Sequence, residues 1–125
     1  MSYRLFLDDV RLPWEVGNYI NPVELRKEFR LFDWVIVRNY NSFVQTILKE
    51  GLPSHISFDH DLAEIHYNSM NYSESFEYFE ETGYDCAKWL IDFCKKNNKP
   101  LPIWYVHSLN PIGADNIKNL LNKYV

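Results

Sequence analysis

Residues 34 to 43 read WVIVRNYNSF, and this stretch decides the fold class. Trp34-Val35-Ile36-Val37 is apolar without alternation, the pattern of a strand covered on both faces, as in a parallel sheet. The chain then turns polar at Arg38-Asn39 and takes up helical spacing. Asn41 or Ser42 is the expected cap, Val44, Ile47 and Leu48 share one face, and Gly51 ends the segment before Pro53. A strand running straight into a helix is half of a βαβ unit.

The same grammar recurs outward in both directions. Tyr3 to Leu7, Ile56 to Phe58 and Ile103 to Val106, entered through Pro102, are three further short apolar runs. Asn21-Pro22-Val23-Glu24 supplies a cap, a first-turn proline and a capping-box glutamate for a helix expected to reach Phe29. Ala87, Leu90, Ile91 and Cys94 fall at helical spacing between Tyr84 and Lys96, and Asn110-Pro111 opens a last helix with Ile117, Leu120, Leu121 and Tyr124 inward. Alternating strands and helices predict a small Rossmann-like α/β fold in three layers, with a parallel sheet of about four strands. One domain over residues 1–125 is expected. Its one irregular part is an insertion at 63–82 with five glutamates, five aromatics and no lysine or arginine, holding a short helix near residues 73 to 81. That insertion is expected on the surface, and a lid over a neighbouring site is a second reading of it.

Composition limits the function. At 46% hydrophobic and 17% aromatic the chain has ample material for a core. A formal net charge of −4 provides no global basic field, so an extended nucleic-acid duplex is not an expected partner. A small phosphorylated substrate or an RNA end is. The start MSYRLFLDD lacks an apolar signal region and no apolar run is long enough for a membrane span, which predicts a cytoplasmic protein. Cys86 and Cys94 lack metal-ligand spacing and read as two reduced core thiols.

Ligands of open parallel sheets bind beyond the carboxyl ends of the strands. Here the strands end in Asp8-Asp9 with Arg11 close behind, in Arg38-Asn39, in Asp59-His60-Asp61, and in His107-Ser108 followed by Asn110. Each group has an ordinary reading by itself: a turn-capping aspartate, a surface ion pair, a satisfied structural histidine, an N-cap asparagine. Their convergence on one edge is the signal, because clustered carboxylates repel one another unless a cation or ligand neutralises them. The set suits phosphoester chemistry. Asp8, Asp9 and Asp59 or Asp61 offer hard oxygen ligands for Mg²⁺ or Mn²⁺. Arg38 and Arg11 offer forked hydrogen bonds to a phosphate, and the helix opening at Asn110-Pro111 offers an anion site. His60 and His107 are the candidates for general base and general acid. Asp61 is expected to bind metal, orient His60 or cap the turn.

Five blocks in order, LFLDDVRLP (5–13), VRNYNSF (37–43), SFDHDL (57–62), TGYDCAKWL (82–90) and HSLNPIGADNI (107–117), resemble the cyclic-phosphate processing receiver-like domain family of bacteria and their phages. The resemblance implies a receiver-like fold, a bacterial or host cytoplasm, and an activity on cyclic phosphates such as 2′,3′-cyclic RNA ends or cyclic nucleotides. It implies site positions at Asp8, Asp9, Arg11, Arg38, Asp59, His60, Asp61, His107, Ser108 and Asn110. Asp8-Asp9 is similar to the acidic pair of signalling receivers, Asp59 to their phosphoacceptor and Ser108 to their hydroxyl residue. His60 and His107 have no receiver counterpart, and the sequence shows no fifth strand with the receiver lysine. The expected function is therefore a metal-assisted phosphoesterase with Asp59, His60 and His107 at its centre. A non-catalytic module that binds a cyclic nucleotide or phosphorylated ligand is the alternative.

Overall fold

The computed structural model describes residues 2–62 and 81–124. The expected insertion and its short helix fall almost wholly on residues 63–80, outside the described residues. The elements in chain order are β1 (Arg4–Leu7), α1 (Pro13–Val16), a 3₁₀ turn (Val23–Leu25), α2 (Arg26–Arg30), β2 (Val35–Val37), α3 (Tyr40–Glu50), β3 (His55–Phe58), α4 (Gly83–Lys96), β4 (Ile103–Val106) and α5 (Pro111–Asn122). The strands form one all-parallel sheet in the order β2-β1-β3-β4, the expected receiver-like α/β arrangement.

Strand parity divides the molecule. Leu5 and Leu7 of β1, with their register partners Ile56 and Phe58 of β3, pack into one core with Phe43 and Ile47 of α3, Leu90 and Cys94 of α4, and Ile117 and Leu121 of α5. Phe6, between those leucines, faces the other way and joins Val16, Ile20 and Phe29 under α1 and α2, with Trp34 and Tyr105 packed alongside. The sheet is thus covered on both sides, by three helices on one face and two short ones on the other. Both cysteines are buried and free, in agreement with the sequence. Among the described residues no helix is long and apolar enough to cross a membrane.

Three local expectations are corrected. β2 is an edge strand, and only Val37 is buried while Val35 and Ile36 stay 43% and 37% exposed, so the two-sided covering expected of this run is not found. The cap of α3 is Asn39, whose side chain accepts from the Ser42 amide, so the buried stripe runs through Phe43 and Ile47 and Leu48 is exposed. The segment after Asn21-Pro22 makes only a 3₁₀ turn before α2, without a side-chain cap. Asn21 instead accepts from Arg26, which also donates to the Ile20 carbonyl. The helix α1 was not foreseen.

Gly83, the first residue of α4, ties this scaffold to the end of β3. Its amide donates to the His60 carbonyl, and a Cβ there would collide with the Asp59 backbone carbonyl. Gly83→Ala is therefore expected to lower unfolding free energy by about 3 kcal/mol, as overpacking against backbone does. Urea unfolding of parent and variant checks this, and unchanged stability would refute the close approach.

Candidate metal and phosphate site

The parity that buries Phe6 also builds the site. Asp8, Asp59 and His107 each lie two residues beyond Phe6, Ser57 and Tyr105, so all three are on the α1/α2 side at the carboxyl ends of their strands. The ladder continues into them: Asp8 N–H donates to the Val37 carbonyl, Asp59 N–H to Leu7 and His107 N–H to Phe58. All three residues are buried, and one ligand atom from each lies within 4.8 Å of the others.

Asp8 is the most heavily bonded. Its Oδ1 accepts from the amides of Val10 (2.9 Å) and Arg11 (2.7 Å), and its Oδ2 from Arg11 Nη1 (3.0 Å) and His107 Nε2 (3.0 Å). Burial by itself would raise its pKa. The His107 hydrogen bond and the two backbone amides outweigh burial and hold the carboxyl well below the usual range. Asp59 fares differently. Its Oδ1 accepts from the His60 amide at 2.9 Å, while Arg11 Nη1 stands 3.8 Å away. Burial first, then the charge of Asp8, push its pKa up to about 7; Arg11 opposes this and Asp9 adds to it. A buried carboxyl held in excess of its compensating cation is the condition a divalent ion relieves, so the residues present fit a metal.

His107 is fully buried, stacked on Phe6 at 4.7 Å, with Nε2 on Asp8 and Nδ1 2.6 Å from Ser57 Oγ. Burial pushes its pKa down against the pull of Asp8. His60 is elsewhere: its Nδ1 bonds Asp61 Oδ1 at 2.9 Å on the rim, its ring packed against Gly113. The two histidines are held in separate hydrogen-bond networks. Burial and two satisfied ring nitrogens keep His107 from reaching a substrate.

Asp61 joins neither Asp8 nor Asp59 in the buried cluster. Its half-exposed carboxylate takes His60 and the Asn110 amide (3.3 Å), so of the three roles open to it the geometry is that of orienting His60. Asn110 caps α5 as expected, accepting from the Gly113 amide at 3.0 Å, and the Ser108 hydroxyl accepts from the Asn110 amide at 3.1 Å. Arg38 Nη1 donates to the carbonyls of Asp8 (3.1 Å) and Arg11 (2.8 Å), stapling the β1–α1 loop. That leaves Arg11 as the guanidinium beside the carboxylates. Asp9 is half-buried next to the cluster and acts on Asp59 through its charge.

Two members went unrecognised in the sequence. Ser57 sits between two buried apolar residues of β3, and a hydroxyl at a core position is itself a signal that a polar partner is near. Tyr19, whose hydroxyl donates to the His107 carbonyl at 2.8 Å and whose ring lies under Arg11, follows the unforeseen α1. A concavity of about 540 Å³ at the opposite edge of the sheet, lined by Leu52, Phe93, Lys99 and Leu101 among others, has no such convergence of ionisable groups.

The raised pKa of Asp59 fixes a pH dependence. A folded-state value above the unfolded one contributes stability that is complete below about pH 4 and lost as pH rises to about 7. Asp8 and His107, both shifted down, contribute in the opposite sense, so the difference between parent and variant isolates Asp59. Relative to Asp59→Asn, the cation-free parent is expected to lose roughly 4 kcal/mol or less between those limits. Urea midpoints from pH 4 to 8 in chelator measure it, and a flat difference would show that Asp59 is not so perturbed.

A family model described as the cyclic-phosphate processing Receiver domain matches residues 3–123. No curated protein and no solved structure matches the chain. The match spans all four strands and all the strand-end groups described above, and the chain belongs to the cyclic-phosphate processing Receiver domain family.

Proposed function

We propose that this domain is a phosphoesterase that opens a cyclic phosphate, on a nucleotide or at the end of an RNA, with one divalent cation and one working histidine. The observation that carries this reading is the buried Asp8–Asp59–His107 cluster with the Arg11 guanidinium 3.0 Å from Asp8 Oδ2, set beside an Asp61-oriented His60 on the same sheet edge. Two carboxylates and one imidazole suit Mn²⁺ better than the oxygen-preferring Mg²⁺. When bound, the ion supplies charge stabilisation at a phosphate oxygen.

The chain's own residues do the rest. Arg11 is already fixed by Asp8 and sets its charge beside the cluster, where its guanidinium would donate to a phosphate oxygen. Asp61 holds His60 Nδ1–H, which leaves Nε2 as the basic nitrogen. His60 takes a proton from water as the water oxygen bonds to phosphorus. It returns that proton to the ribose oxygen as the phosphorus–oxygen bond of the ring breaks, giving a phosphomonoester. Asn110 keeps Asp61 in place. Arg38 and Ser108 shape the loops that carry these groups, and Asp9 adds negative charge beside Asp59. A negative chain of net charge −4 favours a small substrate or a strand end over duplex nucleic acid.

Phosphorus NMR of 2′,3′- and 3′,5′-cyclic nucleotides and cyclic-ended RNA, with Mn²⁺, Mg²⁺ or chelator, tests the proposal. Turnover is expected with Mn²⁺ and loss with chelator. His60→Ala should cut the rate by roughly 10²- to 10⁴-fold, the usual worth of a general acid–base group. Tight binding by calorimetry with every ligand recovered intact would replace the enzyme reading with that of a binding module.

Gly113 gives an independent check. In a helix, alanine for glycine should stabilise by about 0.5–1 kcal/mol. Here the added Cβ meets the His60 ring, so Gly113→Ala should displace His60 and depress turnover roughly as far as His60→Ala does. Full activity in a folded Gly113→Ala protein would count against His60.

A further inference from the structure

Ser57, His107 and Asp8 form a continuous hydrogen-bonded row, 2.6 Å from Ser57 Oγ to Nδ1 and 3.0 Å from Nε2 to Asp8 Oδ2, all of it buried. The residue order is that of a hydrolase triad with the two ring nitrogens exchanged, and Ser57 has no exposed surface and cannot attack anything. Its position explains its use. In the register, Ser57 stands between Phe6 and Tyr105 on the apolar α1/α2 face, where a hydroxyl is tolerated only with a partner. A hydroxyl can donate or accept, unlike the ionised carboxylate of Asp8 on the other ring nitrogen.

We infer that Ser57 is a positioning residue whose hydroxyl lets His107 present either ring tautomer to the carboxylate cluster. Without a cation, Ser57 O–H donates to Nδ1 and Nε2–H donates to Asp8 Oδ2, which needs that donor because it is an ionised, buried acceptor. With a cation between Asp8 and Asp59, a proton on Nε2 would face the metal. The neutral ring then carries its proton on Nδ1, donated to Ser57 Oγ, and Nε2 offers its lone pair to the ion. The ring holds one proton throughout. The proton on Nε2 leaves and one arrives at Nδ1 by exchange with water, while the serine hydroxyl rotates from donor to acceptor. The Phe6 stack, at 6° between planes, keeps the imidazole in one orientation in both states, so only the proton moves.

This inference rests on the cation reading proposed above, and its test separates the two. Long-range ¹⁵N–¹H correlation spectra report which ring nitrogen of His107 carries the proton, and Zn²⁺ serves as a diamagnetic probe. The expected result is Nε2–H in chelator and Nδ1–H with a metal-shifted Nε2 on adding Zn²⁺. Ser57→Ala should keep Nε2–H in chelator and bind Mn²⁺ roughly ten- to a hundredfold more weakly by calorimetry, the usual worth of a group behind a metal ligand. A parent that binds the ion while His107 keeps Nε2–H would overturn the role of Ser57 and leave the cation site standing. So would a Ser57→Ala protein that binds Mn²⁺ as tightly as the parent. A parent that binds neither Mn²⁺ nor Zn²⁺ overturns both readings. The parent spectra decide the tautomer even if the alanine variant does not fold.

Discussion

The carboxylate of Asp8 is the constraint around which the rest of the site is organised. It lies at the end of β1, the central strand beside β3, where water cannot solvate it. A buried, unpaired carboxylate is intolerable, so the surroundings supply donors. The β1–α1 loop winds back to bring the Val10 and Arg11 amides onto Oδ1, and Arg38 fastens the same loop by its carbonyls. Side chains from β1 and the end of β2 thus satisfy both the donors and the acceptors of one loop. The placement of Arg11 beside the carboxylates follows from that winding, and Tyr19 extends the connection from α1 to the end of β4.

Asp59 shows what happens when the same residue type lacks that retinue. It occupies an equivalent place on the neighbouring strand, yet has one backbone donor and a distant guanidinium where Asp8 has two amides, a guanidinium and an imidazole. Two adjacent carboxyls are thereby driven in opposite directions, one ionised throughout and the other poised near neutrality. The asymmetry leaves the cluster with an unbalanced negative charge at one defined point. A cation or a protonated carboxyl must answer it, and the sheet geometry determines where.

Much of this was legible in the sequence because strand periodicity and strand-end position are both local. The run at 103–106, the cap at Asn110 and the strand-end carboxylates could be read without tertiary information. What could not be read depended on partners distant in sequence. Val35 and Ile36 are as apolar as a buried strand, but the lateral position of β2 in the sheet decides their exposure, and strand order is not written in one strand. The cap of α3 moved to Asn39 because asparagine, unlike Asn41 deeper in the segment, had its backbone in the extended conformation. Arg38 read as a phosphate ligand because nothing in its neighbourhood announces the carbonyls of Asp8 and Arg11, about thirty residues away.

The two histidines make the same point chemically. Each is paired with an aspartate, and from sequence they look interchangeable. What separates them is which nitrogen is engaged and how much water each ring meets. His60 gives Nδ1 to a half-exposed aspartate on the rim, which leaves Nε2 for exchange with a substrate. His107 gives Nε2 to a buried aspartate and Nδ1 to a buried serine, so both of its ring nitrogens are engaged inside the protein. The same Asp–His pairing therefore stands at the rim in one case and is closed off in the core in the other. Burial assigns the role, because a desolvated imidazole flanked on both nitrogens has neither the charge state nor the access that acid–base chemistry requires.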